Sequence, residues 1–466
     1  MIPIRYISTR GKAPSLSFEE AVLAGLAEDG GLYVPDRIPA FSTAEIAGLQ
    51  NASYAELAYA VMSRFVDESI APETLERIVA DTYKTFDHAA IAPLTQIGAH
   101  TFVLELFHGP TLAFKDFALQ FLGRLLAHIL EKRKQKAVIV GATSGDTGSA
   151  AIYGCRGHEA MQLFILYPKG RVSDVQRRQM TTVLDKNIHN IAIDGTFDDC
   201  QAIVKALFAD AVFREKNQLT AVNSINWARI LAQVVYYFHA ALILGAPARS
   251  VSFAVPTGNF GDIYAGYIAK RMGLPISQLI IATNRNNILT RCLENGVYDM
   301  QEVVPTLSPS MDIQVSSNFE RLLFDLHDGD GGSVTRLMQE LKEKKRFTLS
   351  PQMLSRLQSE FNGSSVNDDD TAMTIADTYK TTGYVLDPHT AVGLAAGRRC
   401  LSRVGSPLVV LATAHPAKFP EAITRATGVK PALPASLQDL MTRKERCDTL
   451  PNDSAAVKAY IEKHSR

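Results

Sequence analysis

The chain is poor in cysteine and carries no excess charge of either sign. Its five cysteines are scattered over 466 residues without a Cys-x-x-Cys pair, which argues against a disulfide framework or a zinc ribbon and indicates a reducing compartment. Forty-eight basic and 48 acidic residues give a formal net charge of zero, so the basic field typical of nucleic-acid-binding proteins is missing. The cysteines are Cys155, Cys200, Cys292, Cys400 and Cys447.

Long hydrophobic runs are also missing. No segment of the sequence reaches the about 18 continuous apolar residues of a membrane span, and residues 1–5 lack the basic and apolar regions of a secretory signal. We therefore expect a cytoplasmic protein that binds a small molecule, with no nucleic-acid or membrane partner and no metal. The composition, 46% hydrophobic and 21% charged, is that of a globular protein with two or three domains.

Strand and helix patterns alternate between residues 100 and 300. Apolar strands at 162–167 and 187–194 are each followed by an amphipathic helix, at 173–184 and 198–216. This alternation predicts an α/β fold with a doubly wound, mostly parallel sheet.

The two ends of the chain differ from this middle part. Helical patterns at 18–26 and 54–65, separated by Pro-containing loops, predict a mainly helical N-terminal domain. Residues 362–371, rich in Asn, Gly, Ser and Asp, are expected to form an exposed loop, and the tail after Pro431 is expected to be a peripheral helical extension.

A lysine lies between a buried strand at 101–107 and an apolar helix that begins near Phe117. Lys115 is flanked by Phe114, and Asp116 is available as the helix N-cap. The positive end of a helix and an apolar setting both disfavour the ammonium form, so a nucleophilic amine becomes accessible near pH 7. The alternative is a lysine that extends to water or pairs with Asp116.

Two glycine-rich turns offer anion sites. Residues 137–151 run from a strand through Thr143, Ser144, Gly145, Asp146 and Thr147 into a small-residue helix, and residues 250–269 do the same through Pro256-Thr-Gly-Asn-Phe-Gly-Asp262. Backbone amides at such helix starts bind carboxylates or phosphates, although the first turn is equally compatible with tight packing. Neither is a Walker loop. A loop lysine with two anion sites predicts pyridoxal phosphate, an aldehyde for the lysine and a phosphate for a helix N-terminus.

With these motifs the chain resembles the threonine synthases, in their longer form with an N-terminal helical domain, over nearly its full length. The resemblance implies a fold-type II (tryptophan synthase β-like) enzyme with a helical domain at 1–92, a mobile first α/β domain at 93–230, and a second α/β domain at 231–466 with a helical extension. The motifs that carry the resemblance are Tyr6–Gly11, Glu28–Pro35, Phe107–Asp116, Gly141–Gly148, Asn223–Asn226, Pro256–Asp262, Asp387–Gly393 and Ala412–Phe419.

Residue by residue, the resemblance implies that Lys115 forms the Schiff base with pyridoxal 5'-phosphate and that Thr413 binds the pyridine nitrogen. Without the resemblance, Thr413 is simply a β-branched residue that ends a strand. The cofactor phosphate would be held by Gly258, Asn259, Phe260, Gly261 and Asp262. The substrate would be held by Thr143, Ser144, Asp146 and Thr147 at its carboxylate and by Asn223, Ser224 and Arg229 at its phosphate. The alternative for Arg229 is an ordinary ion pair.

The resemblance implies a carbon–oxygen lyase that converts O-phospho-L-homoserine and water to L-threonine and phosphate, as a monomer or homodimer. Two alternatives remain open. A lyase of the same family would stop after elimination and release 2-oxobutyrate, and a threonine or serine dehydratase would need no phosphate site for its substrate.

Overall fold

The N-terminal part of the protein is mainly helical. The computed structural model describes residues 3–143, 145–220, 224–401 and 406–465. Three of the first four helices begin with a serine N-cap and a glutamate at the third helical position, which satisfy each other's backbone amides. The elements are β1 (Tyr6–Ser8), α1 (Phe18–Ala24), β2 (Tyr33–Pro35), α2 (Thr43–Gly48), α3 (Tyr54–Met62) and α4 (Pro72–Tyr83). The helices predicted at 18–26 and 54–65 are therefore present, each ending earlier than predicted.

Strands and helices mostly alternate between residues 101 and 300, as the sequence predicts. The elements up to residue 243 are β3 (Leu94–Gln96), β4 (Thr101–Glu105), α5 (Lys115–Arg133), β5 (Ala137–Ala142), α6 (Asp146–Cys155), β6 (Met161–Pro168), α7 (Asp174–Thr181), β7 (Ile188–Ile193), α8 (Phe197–Ala209), α9 (Ala211–Lys216), β8 (Leu219–Thr220) and α10 (Trp227–Ile243).

The remaining elements complete the same pattern. They are β9 (Val251–Pro256), α11 (Gly261–Arg271), β10 (Ile276–Thr283), α12 (Ile288–Asn295), β11 (Val297–Asp299), α13 (Phe319–Leu326), α14 (Gly331–Lys344), β12 (Arg346–Thr348), α15 (Pro351–Glu360), β13 (Phe361–Ser365), α16 (Asp368–Thr382), α17 (Pro388–Cys400), β14 (Leu408–Ala412), α18 (Pro420–Thr427), β15 (Asp448–Leu450) and α19 (Ser454–His464).

Two larger sheets organise the fold. One has the strand order β13-β10-β9-β14-β4-β3 and is parallel except for the β3–β4 pair. The other, β15-β7-β6-β5-β8, is parallel throughout. The predicted α/β class with parallel, doubly wound sheets is confirmed.

Strand membership departs from the predicted division at 93–230 and 231–466. β3 and β4 pair in the larger sheet beside β14, and β15 near the C-terminus pairs in the smaller sheet beside β7. Strand pairing joins segments that are distant in sequence, so strand order along the chain does not assign a strand to a sheet. The exact domain boundaries stay a prediction.

The predicted loop at 362–371 is wrong. Phe361–Ser365 pairs in parallel with β10 at the edge of the larger sheet, and α16 begins directly afterwards with Asn367 as N-cap. A neighbouring strand thus imposes an extended conformation on residues of low strand propensity.

Helix α10 lies at the centre of the molecule. It packs against α3, α5 and α11, and most of its residues, Trp227, Tyr236 and Phe238 among them, are fully buried. A helix that is apolar on all sides belongs in a core. No helix in the described part of the chain is both long and apolar enough to cross a membrane.

The carboxyl ends of β4 and β14 meet at one edge of the larger sheet, because Glu105 is opposite Ala412 in the parallel register. The Lys115 loop follows β4, and Thr413 follows β14. In sheets of this kind ligands bind beyond the carboxyl ends of the strands, so the topology brings two of the predicted site segments together.

Candidate active site

Lys115 is the first residue of helix α5. The preceding loop extends the sheet, because Ala113 forms a bridge with Ala414 and the amide of Phe114 donates to the carbonyl of Thr413 at 2.9 Å. These two contacts fix Lys115 beside the end of β14.

Asp116 does not cap this helix, contrary to the prediction. The N-cap is Phe114, which has no side chain that could accept a hydrogen bond. The carboxylate of Asp116 is buried and accepts from the amide and the hydroxyl of Thr111, both at 2.8 Å. Asp116 therefore shapes the loop before Lys115 rather than the helix after it.

The environment of Lys115 favours the neutral amine. Its side chain is 13% exposed, and Nζ lies 3.5 Å from Oδ2 of Asp146. Burial lowers the pKa of Lys115, and the charges of Lys418 and Arg229 add to this effect, whereas Asp146 opposes it. A neutral lysine amine is the nucleophile that an aldehyde cofactor requires.

The loop before α6 is organised by Thr143. Its Oγ1 accepts from the amides of Gly145, at 3.0 Å, and Gly148, at 2.9 Å, so this hydroxyl oxygen holds the turn itself. Thr147 is half-buried at the helix start. Ser144 lies outside the described residues.

The side chain of Asp146 is engaged by other protein groups and does not suit the predicted binding of the substrate carboxylate. Its carboxylate lies 2.7 Å from Nζ of Lys418 and accepts from Nε2 of Gln176 at 2.8 Å. A carboxylate held by cations does not bind a substrate carboxylate, so any contribution of Asp146 to that site must come from its backbone amide at the start of α6.

Residues 258–262 form a cup of backbone amides between β9 and α11. Within the described part of the chain, none of these amides donates a hydrogen bond to another protein group. The carbonyls are turned outward, since Asn259 O accepts from the amide of Asn318 and Gly258 O accepts from the hydroxyl of Ser316. Phe260 adopts the left-handed conformation, with φ of 63°. Free amides at a helix N-terminus fit the phosphate of pyridoxal phosphate.

The side chain of Asp262 does not line this cup. It is buried, and Oδ1 accepts from the hydroxyls of Tyr236, at 2.5 Å, and Tyr237, at 2.9 Å. Burial raises the pKa of Asp262 to about 6, although both tyrosine hydrogen bonds oppose the shift. Asp262 therefore contributes its amide to the cup and its carboxylate to the packing behind it.

Arg229 is a buried cation without a full set of partners. Its residue exposure is 3%, and no described residue accepts a hydrogen bond from its Nε or Nη1. Burial lowers the pKa of Arg229 to about 10. Because burying an uncompensated charge is costly, these donors point to an anionic ligand.

The loop before α10 is tied to the cup. Nδ2 of Asn318 donates both to Ser224 O, at 3.2 Å, and to Asn259 O, at 3.0 Å. The sequence offered no motif that singles out Asn318. Asn223 lies outside the described residues, and the predicted roles of Ser224 and Thr413 stay predictions.

Three family models together match most of the chain: "Threonine synthase N terminus" over residues 5–83, "Pyridoxal-phosphate dependent enzyme" over 89–340 and "Threonine synthase, C-terminal" over 390–461. A threonine synthase of Pseudomonas aeruginosa is 58% identical over 99% of this chain and 98% of its own. The chain belongs to the threonine synthase family. It is a pyridoxal-phosphate-dependent enzyme of fold type II, as the sequence predicts.

Solved structures of the family share the fold. A PLP-bound threonine synthase from Brucella melitensis has a TM-score of 0.98 at 55% identity, covering 99% of this chain and 100% of its own. Yeast threonine synthase has a TM-score of 0.95 at 43% identity, covering 99% of this chain and 98% of its own.

Proposed function

We propose that this enzyme converts O-phospho-L-homoserine and water to L-threonine and phosphate, with Lys115 as the cofactor-bearing base. The observation that carries the proposal is Arg229, a buried guanidinium whose Nε and Nη1 donate to no acceptor among the residues that the structure describes. Planar, bidentate donors suit a phosphate group. Its charge also lowers the pKa of Lys115, which agrees with a phosphate site in the same region as the catalytic amine.

Lys115 supplies the proton chemistry. When bound, pyridoxal phosphate supplies an electron sink for the charge left on substrate carbons after proton loss. With substrate bound, the free amine of Lys115 would take the protons from Cα and Cβ, since it is tethered beside both positions. The burial that lowers its pKa keeps the released amine free to act as that base.

Arg229 binds the leaving group. As the bond between Cγ and the phosphate oxygen breaks, negative charge builds on phosphate, and a buried guanidinium stabilises this charge more than a solvated one does. The amides at the start of α6 hold the substrate carboxylate, which fixes Cα against Lys115. A proton would be returned to Cγ, which becomes the methyl group, water would add at Cβ, and a proton returned to Cα would complete threonine, with Lys115 free to hold the cofactor again.

The phosphate site separates this reaction from that of a dehydratase. L-Serine and L-threonine carry no phosphate, so an enzyme for them gains nothing from a buried, unpaired Arg229. The family's lyase alternative shares each of the site residues described here and differs only in whether water adds at Cβ before the product is released.

The test compares substrates. Purified enzyme with pyridoxal phosphate is assayed with O-phospho-L-homoserine and, separately, with L-serine and L-threonine. We expect turnover of the phosphorylated substrate, with kcat/KM about ten- to a hundredfold higher, since the Arg229 contact is made only with phosphate. Equal or higher efficiency with the unphosphorylated amino acids contradicts the proposal. A cytoplasmic location and a monomeric or homodimeric state are also proposed and need separate measurement.

A further inference from the structure

One carboxylate, that of Asp146, is shared by two lysines. Nζ of Lys418 lies 2.7 Å from Oδ1, and Nζ of Lys115 lies 3.5 Å from Oδ2. Asp146 and Lys418 are almost fully enclosed, with side-chain exposures of 5% and 0%. Lys418 has no part in the mechanism described above, although a buried lysine is rare unless it is paired.

Lys418 joins three segments of the site. It lies in a short 3-10 helix, Pro416–Lys418, that follows Thr413 and the end of β14. Its ammonium group donates to Thr111 O at 2.7 Å in the loop that leads to Lys115, and it holds Asp146 at the start of α6. Through these contacts Lys418 fixes the position of the loop before Lys115 relative to the start of α6.

The partners of Asp146 fall into two sets. Oδ1 makes two short contacts with fixed groups behind the site, Lys418 at 2.7 Å and Gln176 at 2.8 Å. Oδ2 makes two longer contacts on the open side, with Lys115 at 3.5 Å and the hydroxyl of Ser310 at 3.4 Å. The carboxylate is thus held firmly by one oxygen and contacts the catalytic amine only loosely with the other.

We propose that Lys418 is a positioning residue that takes up the charge of Asp146, so that Asp146 orients the Lys115 amine without holding it as an ammonium ion. The proposal rests on the proposed role of Lys115. It assigns Asp146 and Lys418 to the control of the base, whereas the sequence placed Asp146 with the substrate carboxylate and gave Lys418 no role.

The charges around the site agree with this arrangement. The groups that act on Lys115 are Asp146, Lys418 and Arg229, and of these only Asp146 favours the ammonium form. Burial by itself would raise the pKa of Asp146, but the charges of Lys418 and Lys115 hold it well below its usual range. The charge of Lys418 also lowers the pKa of Asp116 and of His415.

Two substitutions should move the proton affinity of Lys115 in opposite directions. In Lys418→Met the cation is replaced by an apolar chain of similar length, so Lys115 becomes the sole cation left to Asp146 and its ammonium form is stabilised. In Asp146→Asn the stabilising anion is lost while Lys418 stays. Nearby charges of this kind shift a pKa by about one to three units.

The experiment uses the full-length apoenzyme and pyridoxal phosphate as the probe. The rate at which the lysine-bound cofactor band forms is measured against pH, because only the neutral amine attacks the aldehyde. We expect the midpoint to rise by about one pH unit or more in Lys418→Met, to fall in Asp146→Asn, and to return near the wild-type value in the double variant.

Controls separate this role from a purely structural one. Lys270 forms an ion pair with Glu360 at 2.8 Å far from the site, and Lys270→Met should leave the midpoint unchanged. If Lys418→Met fails to fold, the midpoints of Asp146→Asn and of the double variant, in which neither buried charge remains, still test the proposal. Loss of stability without a shift, or shifts in the same direction for both single variants, overturns the proposal.

Failure of this proposal differs from failure of the proposed function. Borohydride reduction of the wild-type holoenzyme and peptide mapping identify the cofactor-bearing lysine on their own. A cofactor found on Lys115 whose midpoint does not depend on Lys418 refutes only the positioning role.

Discussion

Replacing Arg229 with methionine should lower activity and raise the stability of the free enzyme. A hydrogen bond to a charged group contributes about 1.5 to 3 kcal/mol, so loss of the phosphate contact is expected to reduce kcat/KM for O-phospho-L-homoserine about ten- to a hundredfold. Burial lowers the pKa of Arg229 to about 10, which corresponds to an unfavourable burial of its charge by roughly 3 kcal/mol, and the variant no longer carries this cost.

The assay has two parts. Steady-state kinetics with O-phospho-L-homoserine measures the loss of function. Thermal unfolding with and without inorganic phosphate measures the stability, on enzyme saturated with pyridoxal phosphate so that the cofactor occupies the amide cup. Phosphate should stabilise the wild-type protein, since a ligand that binds the native state shifts unfolding to higher temperature. It should stabilise Arg229→Met much less.

Arg321 provides a matched control. It is also fully buried, and burial lowers its pKa to about 10. Its nitrogens, however, are bonded to the carbonyls of Tyr33 and Ile225 and to the side chain of Asn318. Arg321→Met should therefore destabilise the protein, because it leaves these acceptors unpaired.

Two results would show that Arg229 does not bind phosphate. If Arg229→Met destabilises the protein as much as Arg321→Met does, Arg229 is a structural residue. If the variant keeps its response to inorganic phosphate, the anion binds elsewhere.

Three further substitutions test other parts of the site. Lys115→Ala should abolish turnover and the cofactor adduct fixed by borohydride while the fold is kept; an adduct that persists in this variant would mean that another lysine is the anchor. Gly261→Ala should weaken cofactor binding, measured by dialysis, because the added methyl group lies 3.2 Å from Nδ2 of Asn318, which holds the cup; unchanged affinity argues against the cup. Burial raises the pKa of Asp262 to about 6 from 3.8, so its contribution to apoenzyme stability is complete below about pH 4 and is lost as the pH rises through 6. Asp262→Asn should remove this dependence, about 3 kcal/mol in the free energy of unfolding by denaturant, and equal pH profiles would show that Asp262 does not titrate in this window.

Local sequence patterns predicted those parts of the site that are formed by a single continuous segment of the chain. The amide cup at 258–262 follows from a strand, a glycine-rich turn and a helix, and Lys115 follows from its place between a strand and an apolar helix. Both depend on residues that are neighbours in sequence, so their geometry is dictated locally.

Contacts between distant segments were not predictable in the same way. The ion pair between Asp146 and Lys418 and the link from Asn318 to Ser224 and Asn259 form only when separate loops meet. No periodic pattern in the sequence predicts contacts between loops that are distant along the chain. Asp116 is a further example. An acidic residue at a helix start predicts an N-cap, but the carboxylate of Asp116 accepts a hydrogen bond from the buried amide of Thr111 instead.

The fold, like the site, was predictable where it depends on local sequence patterns and not where it depends on contacts between distant segments. The alternation of strands and helices predicted parallel sheets, but the assignment of β3, β4 and β15 to their sheets depends on pairing across the chain. The edge strand Phe361–Ser365 was missed because its residues favour turns, and only the neighbouring β10 makes it extended.

The addition of water at Cβ is tested by the product formed from O-phospho-L-homoserine in water enriched in oxygen-18. We predict L-threonine that carries the label at its hydroxyl group, together with an equal amount of phosphate without it, since water adds at Cβ and the bond broken is the one between carbon and oxygen. Release of 2-oxobutyrate as the main product, or label in phosphate and none in threonine, would contradict the account.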